Sequence, residues 1–193
     1  MEIEIREVRI SAGEFDQLAR GRYVAFIEEL KMGPPTPERR IVDRFDYDLW
    51  LVQGAAIGGG GGGRVVGGVR FNEFQLADNP IADFYDFTDH LAAVAGTHTR
   101  ISVGSMLYID PACRSVRGLA DRLMRYGMAR AAAAGYTYVV GAMSPGAEGL
   151  MRRCGGIEVG PRGRLDAKNA DYVPMGCDLR PFLLEEEKSA CST

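Results

Sequence analysis

The fold of this chain is decided by Met106-Leu107-Tyr108-Ile109-Asp110-Pro111, closely followed by Arg114-Ser115-Val116-Arg117-Gly118-Leu119-Ala120. The first segment is apolar and ends at a proline, which is typical of a buried strand that stops at a turn. The second segment leads into a helical stripe of apolar residues that Gly135 is expected to end. Another apolar segment, 136–141, follows. Residues 100–141 therefore predict a βαβ unit.

The start of this helix predicts an anion-binding site. Backbone N–H groups in the first turn of a helix have no partner within it, and the helix dipole favours negative charge there. Gly118 permits a ligand to approach the backbone closely, and Arg114 and Arg117 add positive charge. A pyrophosphate or the phosphate of a phosphopantetheine group fits these features. The main-chain groups of the preceding strand can pair with a pantetheine arm as an added strand would.

The remaining segments extend this unit into a mixed α/β sheet. Before the βαβ unit, periodicity predicts a strand at 3–10, a helix from 15 to 30 with Ser11 as its cap, and a loop at 36–46. Strands at 48–53 and 64–71 follow, on either side of the glycine run 58–63, and then a short helix at 83–94. After the unit, a helix is predicted at 145–154 and a last strand at 172–179. We expect a single domain over residues 1–183. The acidic, then polar, segment 184–193 is expected to be a flexible tail.

Composition excludes several classes of function. The net charge is −3 and the 23 basic residues are scattered, which does not suit nucleic-acid binding. The four cysteines lie far apart, so neither a disulfide framework nor a metal site is expected. No apolar run approaches the roughly 20 residues of a membrane span, and the N-terminus lacks a signal peptide. A cytoplasmic protein is expected.

The segment Ser115-Val116-Arg117-Gly118-Leu119-Ala120 resembles the donor-binding motif of the GNAT acyltransferases, Gln/Arg-x-x-Gly-x-Gly/Ala, with Ser in the first place. The helix at 145–154 and Gly155 resemble the next element of that family. This resemblance implies the GNAT-like acyl-CoA N-acyltransferase fold. It also implies an acyl donor, either acyl-CoA or the acyl-phosphopantetheine of an acyl carrier protein. The donor site it implies comprises Leu107, Tyr108, Ile109, Arg114, Ser115, Val116, Arg117, Gly118, Leu119 and Ala120.

The first half of the chain resembles the acyl-homoserine-lactone autoinducer synthases and the N-acyl amino acid synthases. Those enzymes share an Arg-x-x-x-Phe pair, an Asp-x-x-Asp pair and a strand arginine. Arg22 with Phe26, Asp43 with Asp46, and Arg70 occur here in that order. The resemblance implies a small amine acceptor held by residues of this half and of the central strand: Arg22, Phe26, Met32, Arg70 and Ser105. The charged members can orient an acceptor, or they can form a salt-bridge network that only pins the loop.

Four further positions depart from these families. Met32 stands where the autoinducer synthases have Trp, and Val103 and Met106 stand where they have Glu and Arg. Met151 stands where many GNAT members have the tyrosine that acts as general acid. The candidate bases are Glu73, Asp43 and Asp46, acting directly or through water. Backbone N–H groups near Leu107 and Tyr108 are the expected oxyanion donors.

The sequence thus predicts an N-acyltransferase that moves an acyl group from a carrier-protein or CoA thioester to the amine of an amino acid or similar small acceptor. Three alternatives stay open. They are an acyl-homoserine-lactone autoinducer synthase, a short-chain GNAT acetyltransferase, and a protein that binds acyl thioesters without turnover.

Overall fold

A computed structural model describes residues 2–10, 13–59, 63–76 and 78–183. Its strands are β1 (Ile3–Glu7), β2 (Val52–Gly58), β3 (Arg64–Glu73), β4 (Ile101–Ile109), β5 (Tyr138–Met143), β6 (Ile157–Glu158), β7 (Gly163–Leu165) and β8 (Ala170–Asp178). Its helices are α1 (Glu14–Tyr23), which continues as a π-helix at Val24–Glu29, then α2 (Thr88–Val94), α3 (Leu119–Ala133) and α4 (Pro145–Arg153). Single 3₁₀ turns occur at Arg44–Tyr47, Pro111–Cys113 and Asp166–Lys168.

Among the described residues the strands form one sheet in the order β1-β2-β3-β4-β5-β8-β6, and β7 pairs with β8. Neighbouring strands are antiparallel except β4 and β5, which are parallel and joined through α3. The predicted βαβ unit is therefore confirmed, and so is the mixed α/β sheet. The C-terminal end of the helix at Gly135 is also confirmed, since this residue has a φ of 90° that glycine adopts easily.

Helices cover both faces of the sheet. On one face α3 and α4 bury Leu123, Met128 and Met151 against Phe71 and Met175. On the opposite face α1 packs on β2, β3 and β4, where its apolar side chains join a separate cluster with Ala55 and Tyr108. The sheet is thus the middle layer of three, and a site that passes between two of its strands can reach both helical layers.

The bounds predicted for the second strand, 48–53, were wrong, because β2 runs from Val52 to Gly58. Leu49 and Trp50 are exposed in the turn before it. Small residues form the strand because α3 lies directly on it. A Cβ atom at Gly54 would sit 3.0 Å from a ring carbon of Tyr126. Packing has overridden the strand propensity of the larger residues here.

Other boundaries moved as well. The sequence predicts a helix over 113–134, but α3 begins only at Leu119, since a 3₁₀ turn precedes it, and α2 begins at Thr88 rather than Asp83. The short strands β6 and β7, of two and three residues, have no recognisable pattern in the sequence. The cap at Ser11, the middle of the glycine run and the tail at 184–193 lie outside the described residues. In the part of the chain that is described, no helix combines the length and apolar character needed to cross a membrane.

The packing of α3 predicts opposite effects for two helical glycines. In Gly127→Ala the new Cβ would meet the ring of Phe71 and would lie 2.9 Å from Cγ1 of Val69. We expect this variant to lose about 1–3 kcal/mol of unfolding free energy in urea denaturation, because the core is already filled. Gly149→Ala in α4 is the matched control: its Cβ meets nothing closer than 3.8 Å. It should gain about 0.5–1 kcal/mol from helix propensity. Equal effects at the two sites would contradict the packing described for α3.

Candidate active site

The central feature of the site is the gap that opens between β4 and β5. The two strands pair only from Ile101 with Tyr138 to Val103 with Val140. Beyond these pairs β4 continues along β3, and β5 continues along β8. One edge of each strand is consequently without a strand partner among the described residues. Unpaired main-chain N–H and C=O groups on such an edge can bind an extended, amide-containing ligand.

A β-bulge in β4 shapes one side of this gap. The register between β3 and β4 shifts by one residue between Gly68 and Arg70, so that two residues of β4 oppose Val69. Met106 lies at the shift and has a φ of 55°. This is a left-handed conformation that non-glycine residues seldom adopt in strands. The bulge aims Ser105 and Tyr108 at the α1 side, where they bond to Arg70 and to the Leu18 carbonyl.

A cavity of about 300 Å³ occupies the gap. Six of the eight methionines in the chain line it, namely Met32, Met106, Met124, Met128, Met143 and Met151. Its other apolar walls come from both helical layers and include Phe26, Leu30, Phe71, Phe84 and Val139. Methionine side chains are flexible and polarisable, so they can fit apolar groups of different shapes. The size and lining are those of a small-molecule pocket.

The first turn of α3 precedes, in the chain, the part of the helix that lines this cavity. Gly118 caps the helix with a φ of 73°, and the backbone amides of Arg117 and Gly118 bond to no atom of the described residues. Arg117 is exposed and forms no ion pair within the described part of the chain. Met124, six residues further along α3, lines the cavity. At a rise of 1.5 Å per residue it lies about 9 Å from Gly118.

Three of the predicted donor residues are placed differently from expectation. Arg114 donates to the Ile109 carbonyl and pairs with Glu29, so its charge is already balanced. Leu119 is 1% exposed, and its amide donates to the Val116 carbonyl. Val116 itself packs against the cluster that contains Leu119. The groups open to an anion are therefore the exposed residues Ser115, Arg117 and Gly118, with Ala120 partly buried behind them.

Four charged residues form a buried network beside the cavity. Arg22 bonds Asp46 at 2.8 Å and Gln53 at 2.5 Å. Arg70 bonds both carboxylate oxygens of Asp43, at 2.7 and 3.0 Å, and lies 3.1 Å from Asp46. Two positive and two negative charges are thus enclosed together, which offsets the cost of their burial. Burial lowers the pKa of Arg22, and the attraction of Asp46 opposes that shift.

This network holds the loop that the sequence predicted to lie over the sheet. Asp43 accepts from the Phe45 amide, and Asp46 accepts from the Asp43 amide, so the pair caps the 3₁₀ turn at Arg44–Tyr47. Asn72 donates to the Phe45 carbonyl at 2.8 Å. The side chains of Arg22, Arg70 and Asp46 are at most 1% exposed and do not line the cavity. The contacts therefore favour the structural interpretation of these residues over direct binding of an acceptor.

The predicted acceptor and base residues separate into three places. Phe26, Met32 and Ser105 line the cavity, and Ser105 joins it to the network by accepting from Nε of Arg70 at 3.0 Å. Glu73 lies elsewhere: it pairs with Arg100 at 3.2 Å and is outside the cavity wall. Among the three candidate bases only Asp43 is both near the network's edge and partly exposed, at 33%.

Sequence reasoning missed the far wall of the cavity. This wall is formed by the end of β5, the start of α4 and the turn into β8, with Met143, Ser144, Asn169, Asp171 and Tyr172 among its residues. Tyr172 packs edge-on against Phe84 with ring centroids 5.7 Å apart. The sequence predicted the strand at 136–141, the helix at 145–154 and the strand at 172–179, but nothing in it indicated that their ends meet at one wall.

Comparisons with known proteins agree with this geometry. No protein-family model and no curated protein matches the chain. Among solved structures it is similar to FeeM, an N-acyl amino acid synthase from uncultured soil microbes, with TM-score 0.70, 12% identity and coverage of 94% of this chain and 93% of that one. It is similar to BjaI, a CoA-dependent acyl-homoserine lactone synthase, with TM-score 0.69, 22% identity and coverage of 94% and 86%.

A GNAT-family acetyltransferase from Staphylococcus aureus MU50 is also similar, with TM-score 0.61, 13% identity and coverage of 93% and 100%. These likenesses confirm the expected fold: the chain has the architecture of the GNAT acyltransferases and of the synthases related to them.

The buried network predicts a large effect of one isosteric substitution. Asp46→Asn removes one negative charge and leaves the buried Arg22 without a carboxylate partner among the described residues, while Arg70 keeps Asp43. We expect a loss of about 3–5 kcal/mol in the free energy of unfolding, measured in urea. Asp166→Asn is the control, because the Asp166 side chain is 90% exposed. It should change stability by less than about 0.5 kcal/mol. Similar stabilities for the two variants would contradict the role assigned to the network.

Proposed function

We propose that this protein is an N-acyltransferase that moves an acyl group from a pantetheine thioester to the amine of a small acceptor. The observation that carries the proposal is the apolar cavity in the gap between β4 and β5, which is lined by Met124 and Met128 of α3 and also by Phe26 and Leu30 of the other helical layer. The GNAT fold supports the same reaction class. The donor is acyl-CoA or the acyl-phosphopantetheine of an acyl carrier protein.

The donor is held in three parts. Its phosphate groups bind the free amides of Arg117 and Gly118 and the guanidinium of Arg117, where the helix dipole also favours an anion. The pantetheine arm lies along the unpaired edge of β4 and bonds to its main chain. The acyl chain enters the methionine-lined cavity. The order of the three protein regions thus matches the order of phosphate, pantetheine and acyl chain in the donor.

The volume of the cavity favours an acyl chain longer than acetyl. A cavity of about 150 Å³ lined by aliphatic and aromatic side chains is large enough for benzene. The present cavity, at about 300 Å³, is twice that size, and methionine dominates its wall. Burial of each further methylene of an acyl chain would contribute roughly 0.8 kcal/mol. A two-carbon acyl group would leave most of this space unfilled.

The reaction is a direct transfer. The acceptor ammonium first loses one proton to solvent. Its nitrogen then forms a C–N bond with the thioester carbonyl carbon, and the oxyanion that develops is held by backbone N–H groups at the bulge, around Leu107 and Tyr108. The C–S bond breaks, and the thiolate takes up the second proton that the nitrogen loses. Met151 lines the cavity in place of an acidic side chain, so this proton comes from the acceptor itself.

The lactone-forming alternative has less support in the geometry. Val103 and Met106 stand where the autoinducer synthases have Glu and Arg. Val103 is fully buried beside Ile81 and Phe87, and Met106 is in the cavity wall. Neither position offers a charge to an acceptor of that kind. Transfer without lactone formation fits the site better.

Acyl transfer can be tested with the purified protein and a panel of amines. Incubation with palmitoyl-CoA or acetyl-CoA is expected to give an N-acyl product and free thiol, and intact-mass analysis identifies both the chain length and the acceptor. We expect palmitoyl-CoA to be the better donor. Bound thioester without any thiol release would favour the non-catalytic alternative, and a preference for acetyl-CoA would favour the short-chain acetyltransferase.

The place of the acyl chain can be tested by filling the cavity. Ala142→Phe adds a ring to a residue of β5 that lines it. We expect kcat/KM with palmitoyl-CoA to fall at least about tenfold, because overpacking a filled site costs about 1–3 kcal/mol. The value with acetyl-CoA should change little. Ala92→Phe, on an exposed position of α2 outside the cavity, is the control. Equal losses with both donors would contradict the assignment of the cavity to the acyl chain.

A further inference from the structure

Charge is distributed unevenly around the cavity. Among the described residues that line it, Asp171 is the only charged one, and the remaining polar members are Ser105, Ser144, Asn169 and Tyr172. No arginine, lysine or histidine belongs to this part of the wall. Asp171 is the second residue of β8, and its side chain is 59% exposed at the opening. An acceptor that approaches here therefore meets a carboxylate, and the wall itself offers it no cation.

The cation nearest to Asp171 in the hairpin of β7 and β8 is already engaged. Arg164 bonds Asp171 at 2.9 Å, Asp166 at 3.0 Å and the side-chain carbonyl of Asn169 at 2.5 Å. Arg164, Asp166 and Asp171 together carry a net charge of −1, which attracts a cation to the opening. Lys168, in the turn of the same hairpin, lies over the Phe84 ring of the cavity wall, but it is paired with Asp83 at 3.1 Å.

The arginines that the sequence assigned to acceptor binding are also closed to a carboxylate. The side chains of Arg22 and Arg70 are 1% and 0% exposed, and both terminal nitrogens of Arg70 donate to Asp43. Arg114 is paired with Glu29. Lys31 is exposed between two residues of the wall but does not line the cavity. Carboxylate recognition normally uses an arginine that is free to bind it bidentately.

From this distribution we infer that the acceptor is a primary amine without a carboxylate, such as an alkylamine or an aralkylamine, which enters as its ammonium ion and is held at the opening by Asp171. The inference rests on the proposed function and narrows its acceptor, since an α-amino acid would place its carboxylate beside Asp171, at the mouth of an apolar cavity that holds the acyl chain, where the neighbouring cations Arg164 and Lys168 are already paired. Removing a carboxylate from water without a cationic partner is strongly unfavourable.

Matched amines separate charge from size. We would measure kcat/KM for tyramine, tyrosine and tyrosine methyl ester with palmitoyl-CoA as donor. Tyramine and tyrosine differ by the carboxylate, and the methyl ester restores the bulk without the charge. The expected result is a preference of at least about tenfold for tyramine over tyrosine, because the site offers the carboxylate no hydrogen-bonding cation. The ester should behave like tyramine. Tryptamine and tryptophan repeat the comparison with a larger ring.

Two aspartates of the same hairpin provide the matched variants. Asp171→Asn removes the carboxylate of the cavity wall, and we expect it to lower kcat/KM for tyramine and to reduce the preference over tyrosine severalfold. Asp166→Asn also removes a partner of Arg164 but lies outside the wall. It should leave the preference unchanged. Equal changes in the two variants would show that Asp171 acts only through Arg164 and would overturn its role.

The outcomes distinguish this inference from the function on which it rests. Tyrosine acylated as well as tyramine, or better, would overturn the acceptor class and leave acyl transfer standing. An ester that behaves like tyrosine would also overturn it, since size and not charge would then decide. No acylated product from any amine, with either palmitoyl-CoA or acetyl-CoA, would overturn both the proposed function and this inference.

Discussion

The parting of β4 from β5 is the constraint on which the rest of the structure depends. Both strands continue past Val103 and Val140, but their pairing with each other stops there. The outer strands β3 and β8 keep each half of the sheet intact, and the two helical layers cover the gap. The cost of a strand edge without a partner is accepted at the one place where an extended ligand can supply the missing hydrogen bonds.

The buried ionic network solves a different problem. The loop before β2 has little apolar surface with which to attach itself to the sheet, and Tyr47, Leu49 and Trp50 after it are exposed. Attachment comes from Asp43 and Asp46, which reach buried guanidinium groups. Such an arrangement contributes conformational specificity rather than net stability, because buried charges accept few alternative partners. It fixes the bulge through Ser105, and so it fixes one side of the cavity without contributing charge to the cavity itself.

The sequence was informative where a pattern is local. The βαβ unit, the α3 helix and its glycine end follow from apolar periodicity and turn chemistry, and the residues of the network could be grouped before their geometry was known. What could not be predicted depends on tertiary packing. β2 is built from small residues because α3 lies on it, and a strand of Gly and Ala has no strand-like pattern. The position of Asp171 in the wall depends on how far β4 and β5 diverge. Residue spacing along the chain does not encode that distance.

The separations within the network also constrain the order in which the chain can fold. Arg22 and Asp46 are 24 residues apart, Asp43 and Arg70 are 27 apart, and Arg70 and Ser105 are 35 apart. Each closure loses chain entropy before any attraction is gained, so the full network forms only once α1, the loop at 36–46, β3 and β4 have come together. The position of that loop consequently depends on three elements that are distant from it in the chain, and a change in any of them is felt at the loop.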